Sequence, residues 1–423
     1  MNTKWFRRLI VLALVGLAFG VYGIYQRLAF GLSPVAFGSY VPWGLWVAFY
    51  LFFLGLSAGA FLVTILTYVL NLKHFEGIAP LSAFVVLIAL VCEVQFILLD
   101  LGTMHRAFYQ FFITPSFTSI MLWGFIFFNS MLLLYAVKTF LLVRGGLIRR
   151  ANENKGLIAR IYALLALGQT TYTEEMRRRD DRWVHIIAWI SLPVGLLFYG
   201  ANGAFFAILM NRPIWNSALT PLLFVVAALL SGGALVAFLT HVFRQKDPLN
   251  PDGVCQEDRL CLDLGKVILF LLAVFLVLEA MQFFVGYQTA TTSIVTSLDL
   301  MVKGQGAWVF WVVHLLIGSL IPLGLLIFGI RNPKAVSWAC FLIFATFIAV
   351  RYNFVVSDLA VYKLEGLEAA FSHARLTTDY KPNLNEWMVS AWIVSIGLIA
   401  FVLGIRYLPV LPGWNGGNAH EAR

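Results

Sequence analysis

Long apolar runs recur along this chain between short polar breaks, and their lengths set the first expectation. Runs near the ~20 residues that cross a hydrocarbon core fall at about 9–29, 43–70, 79–101, 118–143, 183–209, 219–243, 266–288, 307–330, 335–356 and 388–408. The pattern predicts an all-α polytopic membrane protein of ten transmembrane helices. The first run follows Lys4, Arg7 and Arg8 as a signal peptide would. No small-x-small cleavage site follows it, so an uncleaved helix is expected.

The pattern also repeats internally. Gly55-Leu56-Ser57-Ala58-Gly59-Ala60-Phe61 in the second span is echoed by Leu230-Ser231-Gly232-Gly233-Ala234-Leu235 in the sixth. Glu93-Val94-Gln95-Phe96 in the third has a counterpart in Glu279-Ala280-Met281-Gln282-Phe283 in the seventh. Glu93 to Trp123 is 30 residues and Glu279 to Trp311 is 32. Spans 2–5 and 6–9 therefore read as two parallel-repeat four-helix bundles, flanked by the first and tenth helices. The expected organisation is a first helix at 1–30, a first bundle at 43–209, a second bundle at 219–356, an outer loop at 357–387, and a last helix and tail at 388–423. The small residues of the echoed stretches suit close helix contact in lipid.

Composition agrees with a membrane protein. Hydrophobic residues make up 61% of the chain and charged residues 12%, with a mean hydropathy of +0.84; a soluble domain carries about 25% charged residues. The net charge of +9 is read as a topology signal before it is read as affinity for any anionic partner, and no nucleic-acid partner is expected. With the amino terminus inside, inner segments hold Lys4, Arg7, Arg8 and Lys73, then a cluster from Arg144 to Arg182, then Arg244, Lys246, Arg259, Lys266, Arg331 and Lys334. Outer loops are nearly free of such charges until Lys363, Arg375 and Lys381. Both termini and the 144–182 loop are therefore expected in the cytoplasm of a cell with a bacterial inner membrane. That basic, polar loop reads as a solvated connector that meets anionic lipid heads.

Ionisable groups within the spans cost about 2.5 kcal/mol or more each on insertion scales, so each needs a reason. Glu93, Asp100, Glu279, His314 and Arg351 all fall in the outer half of their spans. Glu93 and Asp100, seven residues apart, share one helix face. Asp100-Leu101-Gly102-Thr103-Met104-His105-Arg106 then leads into an aromatic loop ending at Pro115-Ser116-Phe117. Mutual pairing, for instance of Arg351 with a glutamate, would simply lock the bundles. Asp100, His105 and Arg106 at a membrane boundary instead suit proton-coupled chemistry on a lipid-soluble substrate. Glu93, Glu279, His314 and Arg351 are candidates for a proton path.

A quinone needs an apolar aromatic slot, hydrogen-bond donors to its carbonyls, and a group that exchanges protons with water. Near the same surface, the second span opens with Trp43, Trp46 and Tyr50, and the fifth ends with Tyr199 and Asn202. The tryptophans and tyrosines also fit an interfacial aromatic belt. Other chemistries are less well served. Cysteines at 92, 255, 261 and 340 lack the spacing of an iron–sulfur site or of c-type haem attachment. His185 and His241, near the inner ends of their spans, could hold one haem b in a quinol-oxidising subunit. A secondary transporter would show discontinuous helices around a midplane site, often from inverted repeats.

Together these features resemble the NrfD family of polysulfide-reductase-like membrane subunits, which includes HybB-type and DsrP-type quinone-interacting proteins. The resemblance spans roughly 43 to 356. It rests on Pro42-Trp43-Gly44, Ser57-Ala58-Gly59, Asp100-Leu101-Gly102 with Arg106, Pro115, Trp123-Gly124 and Arg351-Tyr352-Asn353. It implies a subunit that binds menaquinone or ubiquinone and carries no haem or iron–sulfur cluster of its own. It further implies a periplasmic ferredoxin-like iron–sulfur partner on the outer face, and a catalytic subunit such as a molybdopterin enzyme or a multihaem cytochrome c. Carried over by residue, it places the quinone near Trp43, Trp46, Asp100, His105, Arg106, Tyr199 and Asn202. Protons are then expected to exchange at the outer side through Asp100 and His105.

Overall fold

The computed structural model describes residues 3–212, 214–244, 255–289, 291–362, 366–370, 373 and 375–411. Lys246, Lys363 and the tail at 412–423 lie outside the described residues, as does the side chain of Lys4. In chain order the helices are α1 (Thr3–Phe30), α2 (Leu45–Thr64), α3 (Ala79–Asp100), α4 (Met104–Phe108), α5 (Ile120–Glu153), α6 (Gly156–Leu165) and α7 (Glu174–Ala207). They continue as α8 (Leu219–Val242), α9 (Gln256–Gln288), α10 (Thr292–Lys303), α11 (Ile321–Gly329), α12 (Pro333–Leu359), α13 (Leu367–Ala370) and α14 (Leu384–Tyr407). Three π-helical segments extend α2 (Ile65–Val69), follow α4 (Tyr109–Ile113) and precede α11 (Val309–Leu320).

Among the described residues, ten helices are long and apolar enough to cross a membrane, with Val309–Gly329 counted as one. Helix is the form such runs must take, because hydrocarbon supplies no partner for an unpaired peptide group. The protein is a multi-pass membrane protein, and consecutive spans alternate between a basic face, which carries residues 144–182, and an opposite face.

The 144–182 segment differs from a simple connector. Helix α5 runs on to Glu153, α6 follows, and α7 begins at Glu174. Thr173 caps α7 by accepting the Met176 N–H at 3.3 Å, and Glu174 and Glu175 occupy the positively polarised first turn. Arg144 and Asp180, both buried, pair at 3.1 Å between α5 and α7. An apolar-run reading stops at the first charges. A helix continues past them wherever water or a partner satisfies each charge.

Helix α2 is the hub: it packs against α3, α7, α8 and α12, and seventeen of its residues are buried. Helices α3 and α7 pack on α2 and α5 packs on both of them, forming a first group, while α9 and α12 pack on α8 and the Val309–Gly329 helix packs on α12 and α9. The two echoed small-residue stretches meet each other at the boundary between these groups. A side-chain carbon on Gly59 or on Gly232 would overlap the backbone of the other helix. Without a hydrophobic drive between helices in lipid, such close backbone approach is a main source of attraction. Helices α1 and α14 pair with each other, and α14 rests on α3 and α2. Both therefore lie beside the first group.

Candidate functional site

The start of α2 is set by residues far along the chain. The Leu45 N–H donates to the Tyr380 hydroxyl at 2.8 Å, and Tyr380 donates in turn to Glu386 Oε2. Burial, with Glu386 beside it, pushes the Tyr380 phenol well above its ordinary range, so it stays protonated and able to donate. Glu386 Oε1 also accepts the Ala36 N–H at 2.9 Å, and its carbonyl takes Trp46 Nε1 at 3.1 Å. A fully buried carboxylate thus orders the approach to α2.

Above this anchor lies a cavity of about 290 Å³, of the order of small ligand pockets. Trp43 lines it from just before α2, Val47 and Tyr50 from α2, Glu93, Ile97 and Asp100 from α3, and Phe198, Asn202 and Phe205 from α7. Within α3 and α7 these positions recur at spacings of three, four and seven, the signature of one helical face. Phe108, Phe111 and Phe112 from the α4 region, with Gly124, Phe125 and Phe128 from α5, complete an aromatic wall. Trp43 also stacks on Trp215, with ring centroids 5.9 Å apart.

The polar groups of the cavity are few. Tyr50 donates its hydroxyl to Asn202 Oδ1, and Asn202 Nδ2 donates to the Phe198 carbonyl at 2.8 Å. Glu93 is 1% exposed and its Oε2 has no hydrogen-bond partner. Asp100 Oδ1 is likewise shielded and unpartnered. Buried carboxylate oxygens normally find partners, so two on one cavity mark a place prepared for a hydrogen-bonding guest or water.

The cation whose field acts on Asp100 is Arg27 of α1. Arg27 is 2% exposed and donates to the Leu99 and Leu101 carbonyls, each at 2.6 Å. It so caps the negative end of α3. Proximity in sequence points to Arg106 for this place beside Asp100. Arg27 gives no signal beyond being an arginine at the far end of the first span, where it resembles an ordinary boundary charge.

The remaining expected residues stand elsewhere. His105 and Arg106 are exposed and line a separate open groove on the opposite face with Tyr109, Gln110 and Thr114. Trp46 turns toward α14 and packs against Phe37 at 5.4 Å. Tyr199 is fully buried, with its hydroxyl 3.1 Å from Ser57 Oγ. Glu279, His314 and Arg351 line a smaller cavity of about 60 Å³ in the second group, with Gln282 and Asn353. His314 Nε2 lies 3.2 Å from Glu279 Oε2. The Arg351 guanidinium rests 4.8 Å over the Phe224 ring and 5.2 Å over Phe347. His185 and His241 are each committed separately: His185 Nδ1 meets the Asp181 carbonyl at 2.8 Å, and His241 meets Asp258 at 2.7 Å and Arg244 at 2.9 Å.

Comparison with known proteins narrows the reading of this arrangement. The family model described as "Polysulphide reductase, NrfD" matches residues 35–362. The chain belongs to the NrfD family. The match runs from just before α2 to just after α12, so the cavity falls inside it and Arg27 and Glu386 fall outside. A selenate reductase subunit of Mesobacillus selenatarsenatis is 30% identical over 398 residues, covering 92% of this chain and 91% of that one. The Hdr-like menaquinol oxidoreductase integral membrane subunit of Archaeoglobus fulgidus is 25% identical over 97% of this chain and 95% of its own. The menaquinone reductase integral membrane subunit of Nitratidesulfovibrio vulgaris is 23% identical over 93% and 89%.

Proposed function

We propose that this NrfD-family chain is the quinone-reactive membrane subunit of a respiratory oxidoreductase complex, and that quinone chemistry takes place in the Trp43–Asp100–Asn202 cavity. One observation carries the reading: two unpartnered buried carboxylates, Glu93 and Asp100, share an aromatic cavity with the Tyr50–Asn202 pair. A quinone taking two electrons needs two protons and hydrogen bonds to its oxygens, and an apolar ring slot to hold it. Trp43, Phe111 and Phe205 would clamp the ring. Tyr50 and Asn202 would hold one carbonyl oxygen, and Asp100, biased by Arg27, would exchange a proton with it. Names of relatives that include menaquinol and menaquinone support a menaquinone-type guest.

In this reading the basic face is cytoplasmic and the membrane is the bacterial inner membrane, as the Lys/Arg asymmetry implies. The iron–sulfur partner docks on the opposite, periplasmic face, over the exposed groove of His105 and Arg106. His105 there serves as a relay to water. A further catalytic subunit, a molybdopterin enzyme or multihaem cytochrome c, completes the complex. Glu279, His314 and Arg351 form a second proton-bearing cluster beside the first.

Gly124 provides the test. It lines the cavity, and a Cβ added there meets nothing within 4 Å. Gly124→Phe should fill the cavity without disturbing the backbone. Titration of the purified chain with a short-tailed naphthoquinone, followed by tryptophan fluorescence, should show saturable quenching in the wild type and none in Gly124→Phe. Equal quenching in both proteins would move the site elsewhere.

A further inference from the structure

Between α5 and α7 the chain carries an apolar face that no other part of the protein covers. Helix α6 reads Gly156-Leu157-Ile158-Ala159-Arg160-Ile161-Tyr162-Ala163-Leu164-Leu165. At roughly 100° per residue, Leu157, Ile158, Ile161, Leu164 and Leu165 fall within an arc of about 120°. All five side chains are exposed, Leu164 by 77%. The other side of the helix faces the protein. Tyr162, and Ala166 one turn beyond it, are buried in a cluster with Val143 and Leu147 of α5 and Ile405 of α14.

Tyr162 also fixes the depth of this helix. Its hydroxyl donates to the Tyr407 carbonyl at 2.9 Å, and Arg150 donates to both that hydroxyl and that carbonyl, each at 2.8 Å. Tyr407 is the last residue of α14. Beside it the Arg406 guanidinium rests 4.4 Å over the Phe6 ring of α1, and Arg7 and Arg8 next to Phe6 are exposed. Two spans thus end in arginines where α6 is tied, which is the level of lipid headgroups. A helix of 10 residues is about 15 Å long, half of a hydrocarbon core, so it cannot cross.

An exposed stripe of this kind needs a cover, either acyl chains or another protein. Depth and charge together choose between them. The stripe already stands at headgroup level, where a docking protein would have to displace lipid. Arg160 borders the stripe and Lys155 precedes it; both are exposed, and among the described residues neither has a carboxylate partner. The first turn of α6 holds no acidic residue and no side-chain cap, so the positive end of the helix adds to these charges. Helix α7, which starts on the same face, has the opposite arrangement in its Thr173 cap and Glu174 and Glu175. Acyl chains suit the stripe, and the phosphates of anionic lipids suit its cationic border.

We infer that α6 is a membrane-surface anchor that binds anionic phospholipid in the leaflet of the basic face. Its apolar stripe lies among the upper acyl carbons, and Arg160 and Lys155 hold headgroup phosphates. Through Tyr162 and Arg150 the anchor keeps the ends of α5 and α14 at one depth. Neither a quinone nor a redox partner is needed for this role.

The test uses the full chain in nanodiscs of phosphatidylglycerol or of phosphatidylcholine, with Cys255→Ser removing the half-buried native thiol. Nitroxide labels on Ile161→Cys and on Leu164→Cys report depth through collisions with oxygen, which concentrates in lipid, and with a nickel chelate, which stays in water. Glu175→Cys, exposed in the first turn of α7, is the aqueous control. In phosphatidylglycerol the labels at 161 and 164 should favour oxygen and lie about 5–10 Å below the headgroup surface, while the control favours nickel. The label at 164 should sit less deep in phosphatidylcholine. Lys155→Gln with Arg160→Gln should abolish that difference and leave the unfolding midpoint in detergent unchanged. Labels at 161 and 164 that meet nickel as freely as the control would place the stripe in water, as a face for a soluble protein, and overturn the anchor. Equal depth in the two lipids, or a difference that survives the double substitution, would overturn headgroup binding by Lys155 and Arg160.

Discussion

Tyr50 of α2 donates its hydroxyl to the amide oxygen of Asn202 on α7, joining two spans across the lip of the cavity. Asn202 is held in turn by the Phe198 carbonyl, so the pair presents a fixed polar edge inside an aromatic wall. Tyr50→Phe should leave the packing unchanged and weaken naphthoquinone binding about threefold to tenfold, the worth of one net hydrogen bond. Fluorescence titration checks it. Binding unchanged by this substitution would make the pair a purely structural tie.

Asp100 and Arg27 should separate in their effects from Arg106. Asp100→Asn keeps shape but loses the exchangeable charge, so the complex should assemble and lose quinone-linked turnover by about 10²–10⁴-fold. Arg27→Met removes both the field on Asp100 and the cap on Leu99 and Leu101, and should impair turnover and stability together. Arg106→Ala, on the exposed groove, should leave naphthoquinone binding by the isolated chain intact and weaken only reduction of the docked partner. The measurements are quinol-dependent reduction of the partner, co-purification and thermal unfolding. An Asp100→Asn complex with full turnover would return Asp100 to a structural role.

The Gly59–Gly232 contact should be intolerant of bulk. A valine at Gly232 would collide with the backbone of α2, and overpacking of this kind costs about 1–3 kcal/mol. Gly232→Val should lower the unfolding midpoint in detergent. Gly124→Val, where the added carbon meets open space, should not. Equal midpoints for the two variants would show that the helices separate without cost.

Topology can be read by labelling. A cysteine at Asn154, between α5 and α6 on the basic face, should resist a membrane-impermeant maleimide in intact cells. A cysteine at exposed Ser116, in the loop before α5 on the opposite face, should react. The reverse pattern would place the cavity near the cytoplasm.

Much of this protein follows from its sequence because lipid imposes a local rule. Each peptide group in hydrocarbon must bond within its own helix, so ten apolar runs become ten helices whatever their neighbours do. Single-helix periodicity is equally local, which is why Glu93 and Asp100 could be placed on one face and do line one cavity. The small-residue stretches at 55–60 and 231–234 likewise announced a close contact, although not that they would contact each other.

What tertiary structure decided was the rotation of each helix against its neighbours. Trp46 and Tyr199 lie within one turn of cavity residues, yet Trp46 reaches Glu386 of α14 and Tyr199 reaches Ser57 of α2. Arg27 comes to α3 from 72 residues away, and Tyr380 comes to Leu45 from 335 away. Lys138 of α5 donates to Thr64 of α2 and lies over the ring of Tyr68 just beyond it. No local spacing encodes these meetings. They arise because a buried charge or hydroxyl in a membrane interior must take whichever partner the packing of apolar and small side chains brings within reach.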